Sequence, residues 1–375
     1  MSIKTNKIGY IGDLGAIHYS IITELFNNIN KTVYFFEKSY ANSLEKQHNT
    51  LINRDTIIDK YLKQANKFLY KCHGIRNSEY NKYLLEFLDN SGVDCLLSYW
   101  GTNTIPDLIS IKRIKPEIKI IHTVLCHPMG LTPFRIVFQN MYFRKSIRLI
   151  DGIIYNSKIM KNYFENNVLY GKKLPSIIIP PYFTKRYFPD KRLASCKTIP
   201  NLVFLGRMDW WAGQPTDNVL GELNALLESG IHVYHSDKTG NLPYCKNRHI
   251  FSPMNIFGLV NYATQFDASL IIYNMSACKK DDRFKVTIPD RVITSVNAGI
   301  PIAIPKTGYD ACKEYLYDYK AVIEFDSPED LKERLLDRQM VAEYRSIATE
   351  NSIKYYEEDR CGIYLKFLKN ILDPK

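Results

Sequence analysis

Residues 289–301 read PDRVITSVNAGIP. A proline opens this segment, and a cation, Arg291, follows two residues later, in the first turn of the predicted helix. Ala-Gly closes the segment before an apolar run. Proline suits the first position of a helix, and glycine suits the position just after its last turn. The segment therefore predicts a helix at 289–298 that leads into a strand at 301–304, as in a parallel α/β sheet.

The same alternation of apolar runs and amphipathic segments extends along the chain in two series. The first series has predicted strands at 7–12, 33–36, 94–99, 119–125, 152–155 and 176–179, and predicted helices at 19–28, 80–91, 105–114 and 132–147. The second has strands at 201–205, 231–234, 249–251, 268–273 and 301–304, helices at 217–229, 256–265 and 289–298, and a mainly helical end from 327. Two such series predict two Rossmann-like domains, in which ligands bind beside the carboxyl ends of the strands.

The composition favours a soluble globular protein of about two domains. The chain has 375 residues, of which 45% are hydrophobic and 24% are charged. It contains no apolar run of about 18 residues, and the first residues lack the pattern of a secretory signal. The eight cysteines are scattered without a CxxC pair, so we expect reduced thiols in a cytoplasmic protein and no metal cluster.

The formal net charge of +11 favours an anionic partner, such as a nucleotide diphosphate, an acidic lipid or a nucleic acid. The sequence has no zinc finger, RNP motif or basic arm, so we expect no nucleic-acid partner.

Several short segments keep a fixed order along the chain. Residues 205–207 read LGR after a predicted strand, and residues 266–268 read FDA before another. In the first half, residues 151–157 read DGIIYNS and residues 178–182 read IIPPY. Together with 289–301, they resemble the motifs of GT-B glycosyltransferases of the group 1, family 4-like type, whose donor site often reads P-x-K-x-x-E-x-x-x-A-G-x-P.

The resemblance implies an α/β protein with two Rossmann-like domains that face each other across a cleft. It implies an acceptor-binding domain at 1–185, a nucleotide-sugar-binding domain at 199–350, and a C-terminal helix at 351–375 that returns to the first domain. It further implies a nucleotide-sugar donor, a glycan or glycolipid acceptor, and neither cofactor nor metal. Because the chain is basic and bacterial in character, we expect a cytoplasmic role in surface polysaccharide synthesis, such as lipopolysaccharide or capsule.

The resemblance also points to a donor site in the second half. Arg291 takes the position of the motif's lysine, and Gly206 with Arg207 is similar to the family's glycine-arginine phosphate element. The fork of donors on arginine suits phosphate oxygens, and the amino end of a helix attracts negative charge. We therefore expect Gly206, Arg207 and Arg291 to bind the donor diphosphate. A solvated surface cation is the alternative for each arginine.

The donor motif departs from the family pattern at two positions. Many retaining members carry two glutamates that are separated by seven other residues, and the matching positions here hold Val286 and Thr294. Thr294 and Ser295 are the candidates for the ribose contact, although a hydroxyl offers only a neutral hydrogen bond there. Retaining and inverting mechanisms both stay open.

A glycine-bearing loop follows the first predicted strand of the chain. Gly12 and Gly15 would let the backbone approach a ligand closely. Asp13 and His18 are candidates for the base that an inverting enzyme needs. A glycine-rich turn capped by the aspartate is the alternative interpretation.

His127 follows the predicted strand at 119–125. Many GT-B enzymes place a histidine that faces the donor sugar after this strand, so the resemblance makes His127 a catalytic candidate.

Residues 134–148 read FRIVFQNMYFRKSIR, which is a basic and aromatic helical segment. Such a helix can lie on an anionic membrane, giving the protein a peripheral place at the inner face of the cell membrane. We favour the alternative, which is a helix packed on the sheet with a solvated basic end.

Two other functions compete with glycosyl transfer. One is a noncatalytic nucleotide- or sugar-binding protein of the same architecture. The other is an NAD-dependent oxidoreductase, because Gly9, Gly12 and Gly15 with Glu37 further on loosely match a dinucleotide fingerprint. The spacing is not G-x-G-x-x-G, and Gly9 lies inside the predicted strand, so we expect the transferase.

Overall fold

The computed structural model describes residues 7–12, 32–37, 78–99, 105–127, 133–182, 187–190, 192, 199–206, 215–236, 245–277, 283–357 and 360–372. The chain forms two compact units. The first domain consists of residues 1–130 and 134–179 together with the end of the chain from 359. The second domain covers Pro180–Glu358 together with residues 131–133. None of the helices in these ranges combines the length and the apolar character that crossing a membrane requires.

The first domain contains a parallel sheet of six described strands in the order β2-β1-β3-β4-β5-β6. The strands are β1 (Lys7–Gly12), β2 (Thr32–Glu37), β3 (Cys95–Tyr99), β4 (Lys119–Val124), β5 (Gly152–Tyr155) and β6 (Ser176–Ile178). The helices between them, within the described residues, are α1 (Ser78–Ser91), α2 (Ile105–Ile114), α3 (Pro133–Ser146) and α4 (Lys158–Asn167).

The second domain contains a parallel sheet in the order β12-β11-β10-β7-β8-β9. The strands are β7 (Asn201–Phe204), β8 (His232–Ser236), β9 (Arg248–Phe251), β10 (Ala268–Leu270), β11 (Ile302–Pro305) and β12 (Val322–Phe325). The remaining helices are α5 (Leu220–Glu228), α6 (Ile256–Ala263), α7 (Arg283–Val286), α8 (Asp290–Ala298), α9 (Asp310–Tyr315), α10 (Pro328–Leu336), α11 (Arg338–Glu357) and α12 (Arg360–Leu372). This strand order is that of the Rossmann fold, with its switch point between β7 and β10.

The segment at 289–301 folds as its sequence predicts. Helix α8 begins directly after Pro289 and ends before Gly299, which has a left-handed φ of 66°. A left-handed φ is easy only for glycine, so the Ala-Gly pair sets where the helix stops. Elsewhere, Ser157 and Ser327 cap α4 and α10 by accepting hydrogen bonds from the backbone N–H groups of Met160 and Asp330.

Helix α12 packs on the first sheet. Its buried residues Tyr364, Phe367, Leu368 and Ile371 share one core cluster with Ile8 and Tyr10 of β1 and with residues of β3, β4 and β5. The structure begins this return at Arg360, after the separate helix α11.

The structure confirms the predicted fold class of parallel α/β sheets and adds elements that the sequence pattern did not predict. These are α4, α7, α9 and β12, and β10 is shorter than the predicted strand. The predicted helix at 19–28 lies outside the described residues. Strand β12 is four residues long at the sheet edge, with alternating half-buried and buried residues, so its apolar signal is weak.

A buried carboxylate joins the two central strands of the second sheet to helix α11. Asp267 is fully buried, and its Oδ2 accepts hydrogen bonds from the backbone N–H and the side-chain amide of Asn201, at 3.0 and 3.1 Å. Arg338 donates to both Asp267 oxygens, at 2.7 and 2.8 Å. A bidentate pair of this kind is strong because both of its hydrogen bonds are charge-assisted.

We predict that Asp267→Ala lowers the free energy of unfolding by about 2–4 kcal/mol, because it leaves the buried backbone N–H and side-chain amide of Asn201 without their acceptor and removes the counter-charge of the partly exposed Arg338. Urea denaturation measures the loss. The control is Asp326→Ala, which removes an exposed pair with Lys306 and should cost less than about 1 kcal/mol. Equal losses in the two variants would contradict the structural role of Asp267.

Candidate functional site

The carboxyl ends of β7 and β10 form the switch point of the second sheet. Gly206 follows β7, and Ile272 with Tyr273 follows β10. Helix α8 starts beside these two loops and delivers Arg291 to them from its first turn. Rossmann-type sheets bind their ligands at this edge.

The Arg291 guanidinium is held between two aromatic rings. Its Cζ lies 4.2 Å from the centroid of Tyr273 and 5.1 Å from that of Phe204, and its Nη1 donates to the Ile272 carbonyl at 3.2 Å. Each ring attracts the cation by its quadrupole. The carbonyl engages Nη1, so the fork is fixed at the sheet edge while the side chain is still partly exposed.

Gly206 lies directly against this guanidinium. A Cβ at position 206 would sit 2.4 Å from Arg291 Nη1 and 2.3 Å from the tip of the Phe204 ring. The guanidinium of Arg291 can therefore occupy this position only because Gly206 has no side chain. The structure brings together Gly206 and Arg291, which the sequence resemblance named separately.

Tyr273 is a site residue that the sequence reasoning treated only as the end of a strand. Its backbone N–H donates to the Tyr309 hydroxyl at 2.8 Å, and its ring lies 3.9 Å from the ring of Phe284. These contacts fix the ring on which Arg291 stacks. The signal that could have identified it is an aromatic residue at the carboxyl end of a predicted strand of the domain that was expected to bind the diphosphate.

Thr294 and Ser295 lie inside the protein. Thr294 Oγ1 donates to the Asp290 carbonyl at 2.9 Å, one helical turn earlier. Ser295 Oγ lies 2.7 Å from both the Arg291 carbonyl and Ser269 Oγ. Because a hydroxyl has one proton and a carbonyl only accepts, Ser295 donates to Arg291 and joins α8 to β10 through Ser269. The ribose role of both residues stays a prediction.

His127 lies three residues after β4, in an aromatic cluster of the first domain. Its side chain is fully buried, with ring centroids of Phe164 and Phe143 at 5.1 and 5.8 Å. Its Nε2 lies 2.7 Å from Asn140 Oδ1. Burial lowers the pKa of His127 to about 4, against a smaller opposite effect of the Asn140 hydrogen bond. This setting favours a neutral, packed imidazole, and the catalytic role stays a prediction.

Comparison with known proteins identifies the fold. No protein-family model and no curated protein matches the sequence. Among solved structures, a glycosyltransferase from Rickettsia africae is similar with a TM-score of 0.62 and 12% identity, over 99% of this chain and 100% of that chain. Anabaena HepE in complex with UDP-glucose is similar with a TM-score of 0.57 and 11% identity, over 97% and 99%. Sucrose-phosphate synthase from Thermosynechococcus elongatus has a TM-score of 0.57 at 11% identity, over 81% and 79%.

The chain has the GT-B fold. This confirms the fold that the ordered motifs predicted. Two of the predicted donor-site residues, Gly206 and Arg291, meet at one sheet edge in the described part of the structure. Of the other predicted site residues, Gly12 ends β1, whereas Asp13, Gly15, His18 and Arg207 lie outside the described residues.

We predict that His127 makes stability fall in acid. Its pKa in the folded protein lies below the unfolded value of 6.5, so the unfolded chain binds the proton more readily. The contribution of neutral His127 to the free energy of unfolding is therefore complete above pH 6.5. As the pH falls toward 4, up to about 3 kcal/mol of this contribution is lost. Urea midpoints of wild type and of His127→Gln, which does not titrate, measure this at pH 7 and near pH 4.5. Parallel losses in the two proteins would contradict the prediction.

Proposed function

We propose that the chain is a glycosyltransferase that moves a sugar from a nucleotide-sugar donor to a glycan or glycolipid acceptor. It acts in the cytoplasm, in surface polysaccharide synthesis, and needs neither metal nor cofactor. The observation that carries the proposal is the Arg291 guanidinium, fixed against Gly206 at the switch point of the second sheet. The UDP-glucose bound in the structurally similar HepE supports a nucleotide sugar as donor.

The reaction gives this cation its role. The bond between the sugar carbon and the diphosphate oxygen breaks, and the nucleotide diphosphate leaves with the electron pair. The acceptor oxygen bonds to the sugar carbon, and its proton passes to a base, for which Asp13 and His18 are the candidates in an inverting mechanism. Because negative charge grows on the diphosphate as the bond breaks, a fixed cation stabilises the transition state more than the ground state.

Arg207 completes the proposed diphosphate site. It follows Gly206, the glycine that contacts Arg291, directly in the sequence, and this is why we assign it to the same site. One guanidinium can donate hydrogen bonds to only some of the diphosphate oxygens, whereas two arginines can bind more of them.

Thermal-shift measurements with UDP, GDP, CMP, ADP and the corresponding nucleotide sugars test the proposal and identify the nucleobase of the donor. Stabilisation by one nucleotide diphosphate and by its sugar supports a donor site. Release of free sugar from that donor, or its transfer, then separates an enzyme from a noncatalytic binding protein. No stabilisation by any of the four would contradict the donor site.

We predict that Arg291→Ala lowers turnover about a hundredfold or more, since one charge-assisted contact to a developing anion contributes about 2–4 kcal/mol. Arg207→Ala should behave similarly and weaken the binding of free nucleotide diphosphate. Both variants should bind a nucleoside without phosphates almost as wild type does. Calorimetry and initial rates measure these effects, and Arg334→Ala, in an exposed pair with Asp330, is the control.

Gly206→Ala tests the same site without removing a charge. The added methyl group would clash with the guanidinium and with the tip of the buried Phe204 ring, so diphosphate affinity and turnover should fall. A urea midpoint close to that of wild type would show that the second domain accommodates the Phe204 clash and stays folded. Gly221→Ala is the matched control, because a Cβ there meets nothing within 4 Å. Full turnover in Gly206→Ala and Arg291→Ala together would show that the diphosphate binds elsewhere.

We predict that catalysis needs no divalent metal, because arginine side chains and the amino end of a helix offset the charge of the leaving group. Dialysis against EDTA should leave initial rates unchanged. Loss of activity in EDTA that manganese restores would contradict this.

A further inference from the structure

Helix α3 of the first domain presents an exposed face that is apolar at one end and basic at the other. Val137 and Met141 are 63% and 56% exposed, although both are large apolar residues. Lys145 continues the same line at helical spacing, and Arg148 follows in the 3-10 turn at 147–149 directly after α3; both are exposed. The opposite side of the helix is buried through residues such as Phe143. We call the line formed by Val137, Met141, Lys145 and Arg148 the α3 face.

An exposed aromatic ring lies beside the α3 face. Tyr170 is 64% exposed, and its backbone has a left-handed φ of 48° in the turn after α4. Arg144 stacks on this ring at 3.9 Å and donates to its hydroxyl at 3.0 Å. A tyrosine held at the surface by a cation has an apolar body and a polar tip, as interfacial aromatic residues do.

The basic end of the α3 face borders a cavity of about 210 Å³. Four cations line this cavity: Lys112, Arg113, Lys145 and Arg148. Asp151 pairs with one of them, Lys112, at 3.2 Å. The sequence from 133 to 150 contains no acidic residue, so the α3 face itself carries no compensating charge.

This combination of exposed apolar, aromatic and basic groups matches one kind of partner. Apolar residues on a helix can enter the boundary between headgroups and acyl chains, while lysine and arginine pair with lipid phosphates. A soluble anion would use the cations alone and would leave Val137, Met141 and Tyr170 in water.

We infer that the α3 face docks the first domain on an anionic lipid surface, with the basic cavity taking a phosphate headgroup. This replaces our preference from the sequence for a purely structural helix. The inference does not depend on the donor site, because all of its residues lie in the first domain.

Helix α12 offers matched control positions on the opposite face of the first sheet. Ile121 of β4 packs with α12, whereas the next residue, His122, contacts Phe143 of α3 at 5.2 Å between ring centroids. Consecutive residues of a strand point to opposite faces, so the two helices cover opposite sides. Lys366 and Ile363 of α12 are exposed and provide charge and apolar controls.

Co-sedimentation of the full chain with vesicles tests the inference without any sugar nucleotide. Wild type should bind phosphatidylcholine vesicles that contain about a third phosphatidylglycerol, should bind pure phosphatidylcholine at least tenfold less, and should detach in about 0.5 M salt. Each basic residue near such a surface strengthens partition by about fivefold, so Lys145→Glu with Arg148→Glu should weaken it by at least about 25-fold. Lys366→Glu with Lys369→Glu changes the net charge equally and should bind nearly as wild type does.

Met141→Ser provides a second variant that leaves the charge unchanged. It should lower partition severalfold, whereas Ile363→Ser should not. Equal binding of wild type to both vesicle types, or equal losses in the α3 and α12 variants, would overturn the inference. Tight binding of a short DNA or RNA duplex without vesicle binding would overturn it too and assign the face to nucleic acid. Each of these results leaves the donor-site tests unaffected.

Discussion

The bidentate hydrogen bonds between Asp267 and Arg338 fix the centre of the second sheet. Asp267 precedes β10, and its other partner, Asn201, begins β7, so one buried carboxylate holds the starts of the two strands together. Because the strands are parallel and paired from this point, their far ends also lie side by side. The loops that carry Gly206 and Ile272 therefore meet, and Arg291 lies between them.

The candidate site shows how a cation can be kept ready at such an edge. Two rings and a carbonyl fix the guanidinium before any ligand arrives, so little of its side-chain freedom remains to be lost on binding. The neighbouring position must be glycine because a methyl group would occupy the space of Nη1. Tyr309 stabilises this arrangement, because its hydroxyl accepts a hydrogen bond from the backbone N–H of Tyr273. Packing of apolar and aromatic residues thus sets the position of the charge.

In the first domain, the helices on the two faces of the sheet differ in what they expose to solvent. Helix α12 covers one face of the sheet with large buried side chains, whereas α3 covers the other face and leaves apolar and basic residues in solvent. His127 belongs to the buried side of this arrangement, between α3 and α4, where its neutral form is favoured. The same helix therefore contributes to a core and presents a surface suited to an anionic lipid layer.

The sequence by itself determined the two α/β series and the start and stop of α8, because strand runs, helix caps and glycine positions are local properties of the chain. The resemblance of its ordered motifs to those of GT-B glycosyltransferases made Gly206 and Arg291 candidates. It did not predict β12 or α9, whose short segments gain their structure from pairing and packing. Only the tertiary structure decided that Gly206 contacts Arg291, that Ser295 points into the α8–β10 interface, and that His127 is enclosed by phenylalanines. These outcomes depend on which residues distant in sequence become neighbours, and sheet order and helix packing set that.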